Sequence, residues 1–520
     1  MNIWAWDSED DSQGNIYWIN FYDGKRHYSF SDRNEAYNFL KAQECTLWAC
    51  NMEYDIANLI STHYEKIEFF FGKSRLIRAK LNKVTFLDTL NHWKMSVDGM
   101  GSFLGHKKKP FNPKSLEYCQ CDTEIVYEFV KAMTSIYQKN LDVTAKSTIA
   151  STAFCLWRKI NGMALGKLEK IELEYFKLAY YGGRTECFYI GQVKGQINYV
   201  DVNSMYPYCM LGELPYPYDF EKEADIEQEG ISECVIESSI KRPILPYRQK
   251  DGRLVFANGT FRGIWANIEL RYAESQGVKI KKILSGYHFK LTCDPFSDYV
   301  MKLYELKNKA KNDLDRYTYK LFLNCLYGKF GQGNERVCLV SLDKFLEMKV
   351  KPSGARIYND SVVLYNEIGD YPAQTNYIWS LYVTAKARIL LHRYISIVDK
   401  EAMLLYCDTD SIIYKGKADI KYSDKLGDMK LEGKHTVFEA KTSKIYKIDD
   451  IYRVKGVPRK YQKNYFDNDR ATYQKPTRIK ESIRRDLRPN VWIEYNKVKL
   501  TNYSKGNISK TGYVTPLILK

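Results

Sequence analysis

Seven carboxylates stand in short patterns that could hold metal ions. Ile3-Trp4-Ala5-Trp6-Asp7-Ser8-Glu9 reads as a buried strand with two carboxylates at its end. Residues two apart share a strand face, so Asp7 and Glu9 point the same way. Asn51-Met52-Glu53-Tyr54-Asp55 follows the apolar run Thr46–Cys50 and suggests a strand feeding a helix, with Asp55 at the junction. In Tyr118-Cys119-Gln120-Cys121-Asp122 the Tyr and the Asp are four apart and share a helical face. Asn112-Pro113 is the expected start of that helix, an Asn cap followed by Pro in the first turn. Taken singly, each pattern is more often a polar strand end or a solvated helix. Together they put four carboxylates and one Tyr on three segments. Such a set could clamp two divalent cations roughly 3.5–4 Å apart. One would turn a water into a nucleophile, the other would stabilise a leaving 3′ oxygen, and Tyr118 could orient the water.

A second acidic set lies further along. The stretch Gln196–Val202 alternates apolar residues and runs into Asp201-Val202-Asn203-Ser204-Met205-Tyr206-Pro207, a strand whose end carries an Asp ahead of a turn. Leu404-Leu405-Tyr406-Cys407-Asp408-Thr409-Asp410-Ser411-Ile412-Ile413-Tyr414 reads as two apolar strands around an acidic turn. Two Asp in an otherwise apolar hairpin are costly unless something pairs with them, and metal ions are natural partners. Between the two, Lys320, Asn324 and Tyr327 are spaced to line one helix face, which Gly328 could end.

The rest of the chain must position these groups and meet a polyanion. The net charge is +16, and Lys441–Lys520 holds 20 Lys and Arg against 7 Asp and Glu, hence 13 of the 16 excess charges. So concentrated a basic block suggests a polyanionic partner, although many soluble domains have a basic surface. The 43 Tyr offer stacking faces with polar tips, most of which a core must absorb. There are 12 Cys without a C-x-x-C pair, which argues against a zinc site and for free thiols in a reducing compartment. No leader is expected, because charges begin at Asp7. No apolar run is long enough for a bilayer. Even the stretch around Ile389 is broken by Lys386, Arg388 and His392, so no membrane partner is expected.

In their order these segments resemble the family B DNA polymerases. Asp7/Glu9, Asn51–Asp55 and Tyr118–Asp122 are similar to the three motifs of the 3′→5′ proofreading exonuclease. Thr89-Leu90 resembles the small Ser/Thr-Leu motif that contacts single-stranded DNA, with Asn51 and Tyr54 as further DNA contacts. Asp201–Pro207 resembles motif A, with Met205 for Leu. Lys320–Gly328 resembles motif B, with Cys325 for Ser, and Tyr406–Ser411 matches motif C. Tyr180-Tyr181-Gly182-Gly183 looks like the Y-x-G-G template loop, and Lys444-Ile445-Tyr446 like the K-x-Y primer motif. The resemblance implies metal ligation by Asp201, Val202 and Asp410 and, in the exonuclease, by Asp7, Glu9, Asp55 and Asp122. Asp408 would be essential but a less direct ligand. The cofactor would be Mg²⁺ (or Mn²⁺), two ions per site. The incoming dNTP would meet Val202, Tyr206, Lys320, Asn324, Tyr327 and a second lysine, Lys307, for which Lys309 and Lys311 compete. Ser204 and Gly328 would touch DNA. The family's exonuclease also uses a lysine between its second and third motifs, which the run Lys107-Lys108-Lys109 does not match in its surroundings.

The implied fold is α/β plus α+β: a ribonuclease-H-like exonuclease domain over 1–140, then a right-hand polymerase domain over 141–520. The latter divides into palm (141–212 and 376–440), fingers (294–331) and thumb (441–520). The spacings of 119 residues from Asp201 to Lys320, and 80 from Gly328 to Asp408, leave room for two insertions, 213–293 and 332–375. These, and the first motif at residue 7, point to the protein-primed bacteriophage branch. The implied partners are template-primer DNA, dNTPs and a terminal protein primer. The chain is expected to act as a monomer in the host cell cytoplasm. Two other readings are a nucleic-acid binding protein, which leaves the ordered motifs unexplained, and an RNA-copying polymerase, which leaves the exonuclease set unexplained. A nucleic-acid-primed family B enzyme is the nearer alternative.

Overall fold

In a computed structural model, the structure describes residues 2–11, 13–73, 75–498 and 502–519. The N-terminal strands are β1 (Ile3–Asp10), β2 (Ile16–Tyr22) and β3 (His27–Phe30), followed by α1 (Arg33–Leu40). Then come β4 (Thr46–Ala49), α2 (Met52–Ile60), β5 (Glu68–Phe71), β6 (Leu76–Leu81), β7 (Val84–Asp88), α3 (Val97–Leu104) and α4 (Leu116–Leu141). β1, β4 and β7 run parallel at the sheet's centre, where apolar runs such as Leu47–Ala49 are covered on both faces. The flanking pairs are antiparallel. The expected helix start at Asn112-Pro113 is not where α4 begins. Ser115 is the cap, its hydroxyl accepting from Tyr118 N, because three more residues of turn precede the first apolar periodic position.

A second sheet of seven strands forms the palm. Its order is Ile451–Val454, Ile445–Ile448, Met429–Thr442, Gly191–Val202, Ser411–Lys415, Met403–Asp408, Thr185–Cys187. The strand ending in Asp201-Val202 is central, with Ser411 opposite Asp201 on one side and Lys430 on the other. A boundary between palm and thumb at 440/441 falls inside the strand Met429–Thr442, and the palm sheet continues to Val454. Two helices, Ser297–Lys309 and Asp313–Cys325, stand above it in the fingers' place.

The helix Tyr377–Glu401 is buried on nearly every side, and its polar interruptions find partners. Lys386 donates to the Leu211 and Glu213 carbonyls, Arg388 pairs with Glu269, and His392 meets the Arg242 carbonyl. No helix among the described residues is long and apolar enough to cross a membrane.

The segment 213–293 folds as a sheet whose main strands are Gly230–Ser238, Asn258–Ala266 and Lys279–Phe289, joined at its edge by Ile518–Leu519. The segment 332–375 forms strands Glu335–Ser341, Arg356–Tyr358 and Val362–Ile368. These extend the N-terminal sheet through Val337 opposite Phe71. The basic C-terminal region holds the ribbon Arg470–Pro476/Trp492–Val498 and the short helix Ile479–Arg485, whose Ile479 and Ile483 enter the core of the N-terminal domain.

Candidate active sites

The first site forms where β1, α2 and α4 converge. Carboxylate oxygens of Asp7, Glu9 and Asp122 lie within 4.8 Å of one another. Asp55 joins them from α2, one oxygen taking Ser8 N at 3.0 Å and Ser8 Oγ at 2.7 Å. Three buried oxygens, Asp7 Oδ2, Asp55 Oδ2 and Asp122 Oδ1, have no hydrogen-bond partner among the described residues. A buried carboxylate oxygen without a donor is expensive unless a cation supplies the missing contact, so these residues fit a metal site. Burial, then the Asp55 charge, push the Asp7 carboxyl far above its ordinary value. Glu9 is pushed up to about 7, by burial first and by Asp122 next.

A lysine completes this site. Lys108 Nζ donates to Asp122 Oδ2, leaving Oδ1 unpartnered, and lies 4.9 Å from the centre of the Tyr118 ring. Burial opposes the ammonium, but its bonds to Asp122 and Tyr118 outweigh that and hold it above the usual lysine range. The run Lys107–Lys109 hid this in the sequence, since only the middle residue turns inward; Lys109 pairs outward with Glu117. Replacing Lys108 with Ala should lower degradation of single strands by about 10²-fold, the scale for removing one positioned polar catalyst. Lys108→Arg should recover part of it, and primer extension should persist. Single-turnover degradation rates check this; a Lys108→Ala rate equal to that of the unaltered chain would remove Lys108 from the site.

The DNA contacts expected nearby are only partly placed to serve. Asn51 is exposed and left-handed at φ 74°, and Leu90 is part-exposed. Thr89 is fully buried, its hydroxyl without a partner among the described residues, so of that pair only the Leu90 side chain is open to the surface. The Asp88 carboxylate explains the local shape, accepting from both Leu90 N and Asn51 N. The Tyr54 hydroxyl bonds Asp10.

The second site sits on the palm strands. Asp201 lies near the end of the central strand and Asp410 in the hairpin turn just before the adjoining strand Ser411–Lys415, and Val202 N donates to the Asp410 carbonyl at 2.9 Å. Burial, then the Asp410 charge, push the Asp201 carboxyl to about 7. Asp410 is raised as well, by burial first. Asp408 faces a different partner: Lys444 Nζ donates to its two oxygens at 2.6 and 2.7 Å, and Thr185 Oγ1 at 3.0 Å. Asp408 is therefore already neutralised, which fits a residue that positions the hairpin while Asp201 and Asp410 keep the capacity for a cation. Tyr446 stands 4.9 Å from the Tyr406 ring, behind Lys444.

The nucleotide end is cationic and aromatic. Tyr206 and Tyr327 stack at 4.6 Å and 11°. Lys320 and Asn324 are exposed on one helix, but that helix stops at Cys325. The buried Tyr299 hydroxyl takes the Phe322 carbonyl at 2.8 Å, the acceptor that the next turn would need. Tyr327 and Gly328 thus belong to a separate short helix, Tyr327–Phe330, and Gly328 does not end the first. Of the competing lysines, Lys309 is occupied by Glu305, whereas Lys307 faces Lys320 and Arg316. Burial, then those two cations, hold Lys307 below its ordinary value. Sequence reasoning missed Arg316, which is four residues before Lys320 on the same helix face.

The loop Tyr180–Gly183 is held from behind. Arg388 donates to the Tyr181 and Gly182 carbonyls at 2.8 and 3.0 Å while paired through both remaining nitrogens with buried Glu269. A β-carbon on Gly183 would fall 2.9 Å from Thr409 Cγ2 and 3.1 Å from the Tyr206 hydroxyl, so any larger residue would displace one of these two side chains. Ser204 is left-handed at φ 47° and turns the chain between Asp201 and Tyr206.

Both carboxylate sets hold their protons to higher pH in the folded chain than an unfolded chain would, Glu9 and Asp201 up to about 7. Folded stability should then fall as pH rises from the ordinary carboxylate range toward 7. A bound cation favours the ionised forms and should offset this. Mg²⁺ should raise Tm by several degrees more at about pH 8 than at about pH 5.5. Equal shifts at both values, read by scanning fluorimetry, would separate the cation from these carboxylates.

Comparison with known proteins agrees with this geometry. Residues 100–345 match the family described as DNA polymerase type B, organellar and viral. A "Probable DNA polymerase" of Agaricus bitorquis is 29% identical over 184 residues, which are 33% of this chain and 23% of that protein. The "DNA-directed DNA polymerase" of Enterobacteria phage PRD1 is 27% identical over 376 residues, 67% of this chain and 64% of that one. The chain spans about a quarter of the Agaricus bitorquis relative and less than two thirds of the phage PRD1 relative. Among solved structures, Phi29 DNA polymerase complexed with primer-template DNA superposes with a TM-score of 0.73 at 17% identity. The match covers 96% of this chain and 100% of that chain.

Proposed function

We infer that this chain is a replicative DNA-dependent DNA polymerase of the type B kind found in organelles and viruses, with its own 3′→5′ exonuclease. The observation that carries this is the pairing of two separate carboxylate sites on one chain. One lies beside a lysine; the other lies near cations and stacked tyrosines.

In synthesis, Asp201 and Asp410 would hold two divalent cations, taken to be Mg²⁺ or Mn²⁺, with the Val202 carbonyl beside them. When bound, the ions supply charge stabilisation for phosphoryl transfer. Lys307, Arg316 and Lys320 would take the triphosphate. Tyr206 would lie against the sugar, its ring held by Tyr327. The primer 3′ oxygen attacks the α-phosphorus, and pyrophosphate leaves. Lys444 holds Asp408 and stands where a primer terminus would enter. In degradation, Asp7, Glu9, Asp55 and Asp122 would hold the ions, while Tyr118 and Lys108 orient a water against the terminal phosphodiester.

We place the chain in a host cell's cytoplasm, replicating a linear phage genome by protein priming. The segments 213–293 and 332–375 support this reading. The first is a folded sheet beside the template loop, joined to it through Glu269 and Arg388. The second spans from the N-terminal sheet to the C-terminal region, through Arg356 on the Arg484 carbonyl and Tyr358 on the Leu487 carbonyl. The test mixes this chain with the protein encoded beside its gene, terminal DNA and one labelled dNTP. Label bound covalently to that protein supports priming. Label found only on oligonucleotide primers would leave a nucleic-acid-primed polymerase.

A further inference from the structure

A series of buried hydrogen bonds runs into the first site from the far end of the sequence. Asn490 Nδ2 donates to Asn58 Oδ1 at 2.7 Å. Asn58 Nδ2 donates to Ser8 Oγ at 3.1 Å, and Ser8 Oγ donates to Asp55 Oδ1 at 2.7 Å. All four residues are buried, none more than 4% exposed. Asn490 and Asn58 are 432 residues apart in the sequence. The first donor therefore belongs to the C-terminal region, and the last acceptor to the carboxylate set.

Asn490 is held there by the docking of its segment. Its Nδ2 also donates to the Tyr54 carbonyl at 2.9 Å, next to Asp55 on α2, and Ile479 N donates to Glu53 Oε1 at 3.1 Å. Ile479 and Ile483 sit in the same core as Trp6, Leu47 and Met52. The segment thus rests on α2, the helix that carries both Asn58 and Asp55. Asn490 itself stands at φ 58°, a left-handed conformation that Asn tolerates better than most residues.

Each bond in the series sets the direction of the next. A serine hydroxyl has one proton and can turn it to any nearby acceptor. Here Asn58 Nδ2 occupies a Ser8 lone pair, so the Ser8 proton is left for Asp55. An Asn amide can present either its oxygen or its NH₂ group. The Asn490 donor takes the Asn58 oxygen, so the NH₂ group is the end that faces Ser8. With the Asn490 amide gone, Asn58 is free to turn its oxygen toward Ser8 and draw the hydroxyl proton away from Asp55. The series ends on Asp55 Oδ1, which also takes Ser8 N at 3.0 Å. Asp55 Oδ2 is buried and without a partner among the described residues, so it is the oxygen left for a cation.

We propose that Asn490 is a positioning residue for the first site, acting through Asn58 and Ser8 to fix which Asp55 oxygen is presented to the ion. Groups that orient a metal ligand from behind tune its grip on the metal. The degradation centre is then complete only while the C-terminal segment is docked on α2. This rests on the exonuclease reading of that site.

The test compares Asn490→Gly, Asn58→Ala, Ser8→Ala and Ser8→Thr in the full chain. Glycine takes the left-handed φ without strain, so Asn490→Gly removes the amide and keeps the turn. Asn58→Ala breaks the series while Asn490 keeps its bond to the Tyr54 carbonyl. One readout is single-turnover degradation of a 5′-labelled oligothymidylate with Mg²⁺. The other is Mn²⁺ binding, with free Mn²⁺ counted by electron paramagnetic resonance. For that readout every chain also carries Asp201→Ala and Asp410→Ala, which removes the palm ligands. Asn490→Gly, Asn58→Ala and Ser8→Ala should each slow degradation about tenfold and weaken Mn²⁺ binding about tenfold, the low end for groups that orient metal ligands. Primer extension should be retained in the chains with an intact palm. Ser8→Thr keeps the hydroxyl and should keep most of both readouts. Because the links act in series, Asn490→Gly combined with Ser8→Ala should lose no more than the greater single loss. Unchanged degradation and Mn²⁺ binding in Asn490→Gly would overturn the proposal. So would a loss that Asn58→Ala does not share, or losses that multiply in the double variant. A chain that binds Mn²⁺ through the Asp7 set but degrades no strand would refute the exonuclease reading, and the Mn²⁺ titration would still decide the role of Asn490.

Discussion

Replacing Asp201 or Asp410 with Ala should abolish primer extension while single-strand degradation continues. Asp201 lies near the end of the palm's central strand and Asp410 in the turn just before the adjoining strand, and the Asp410 charge raises the affinity of Asp201 for a proton or a cation. Losing either leaves one anion where two are needed to hold divalent ions against a triphosphate. Metal stabilisation of the transferring phosphoryl group is worth several kcal/mol, so extension should fall by at least about 10³-fold. Folding should be little affected. Removing one of two repelling, partly buried carboxylates relieves strain in the metal-free chain, so each variant should unfold at the same or higher temperature. Asp408→Ala should behave differently. It would strand Lys444, whose ammonium now rests on both Asp408 oxygens, and should lower stability as well as extension. Normal extension by Asp201→Ala would place the polymerase centre elsewhere.

The second large effect is the converse. Asp7→Ala combined with Glu9→Ala should remove 3′→5′ degradation by at least about 10³-fold and leave extension within a small factor of the unaltered rate. Asp122→Ala alone should do nearly as much. Three carboxylates share one ion-sized space, and Asp122 also holds Lys108. Mismatched primers should then be extended rather than trimmed. A double variant that still trims a mismatched terminus would show that degradation belongs to another part of the chain.

The legible part of each site was the part carried by short segments. Asp7 and Glu9 share a strand, Tyr118 and Asp122 share a helix turn, and Asp408 and Asp410 share a hairpin, so local periodicity was enough to place each pair. What escaped were contacts across long separations. Lys108 comes from an irregular loop whose path no periodicity fixes. Glu269 lies 119 residues from Arg388, and nothing local to either marks a buried ion pair. The docking of Asn490 on Tyr54 spans 436 residues. Helix ends were also hidden. The break after Cys325 follows from a hydroxyl of another helix, Tyr299, and the start of α4 from a serine cap three residues beyond the expected one. The palm's true extent, to Val454, was obscured because Lys-rich strands read as part of the basic block.

The most direct test of two separate sites on one chain uses a 5′-labelled primer with a mismatched 3′ end on a longer template, Mg²⁺ present, with and without dNTPs. The unaltered chain should shorten the primer without dNTPs and trim then extend it with them. Asp201→Ala should only shorten it, and the Asp7→Ala, Glu9→Ala variant should only extend it. Loss of both activities together in either variant, with the fold intact by circular dichroism, would contradict the account.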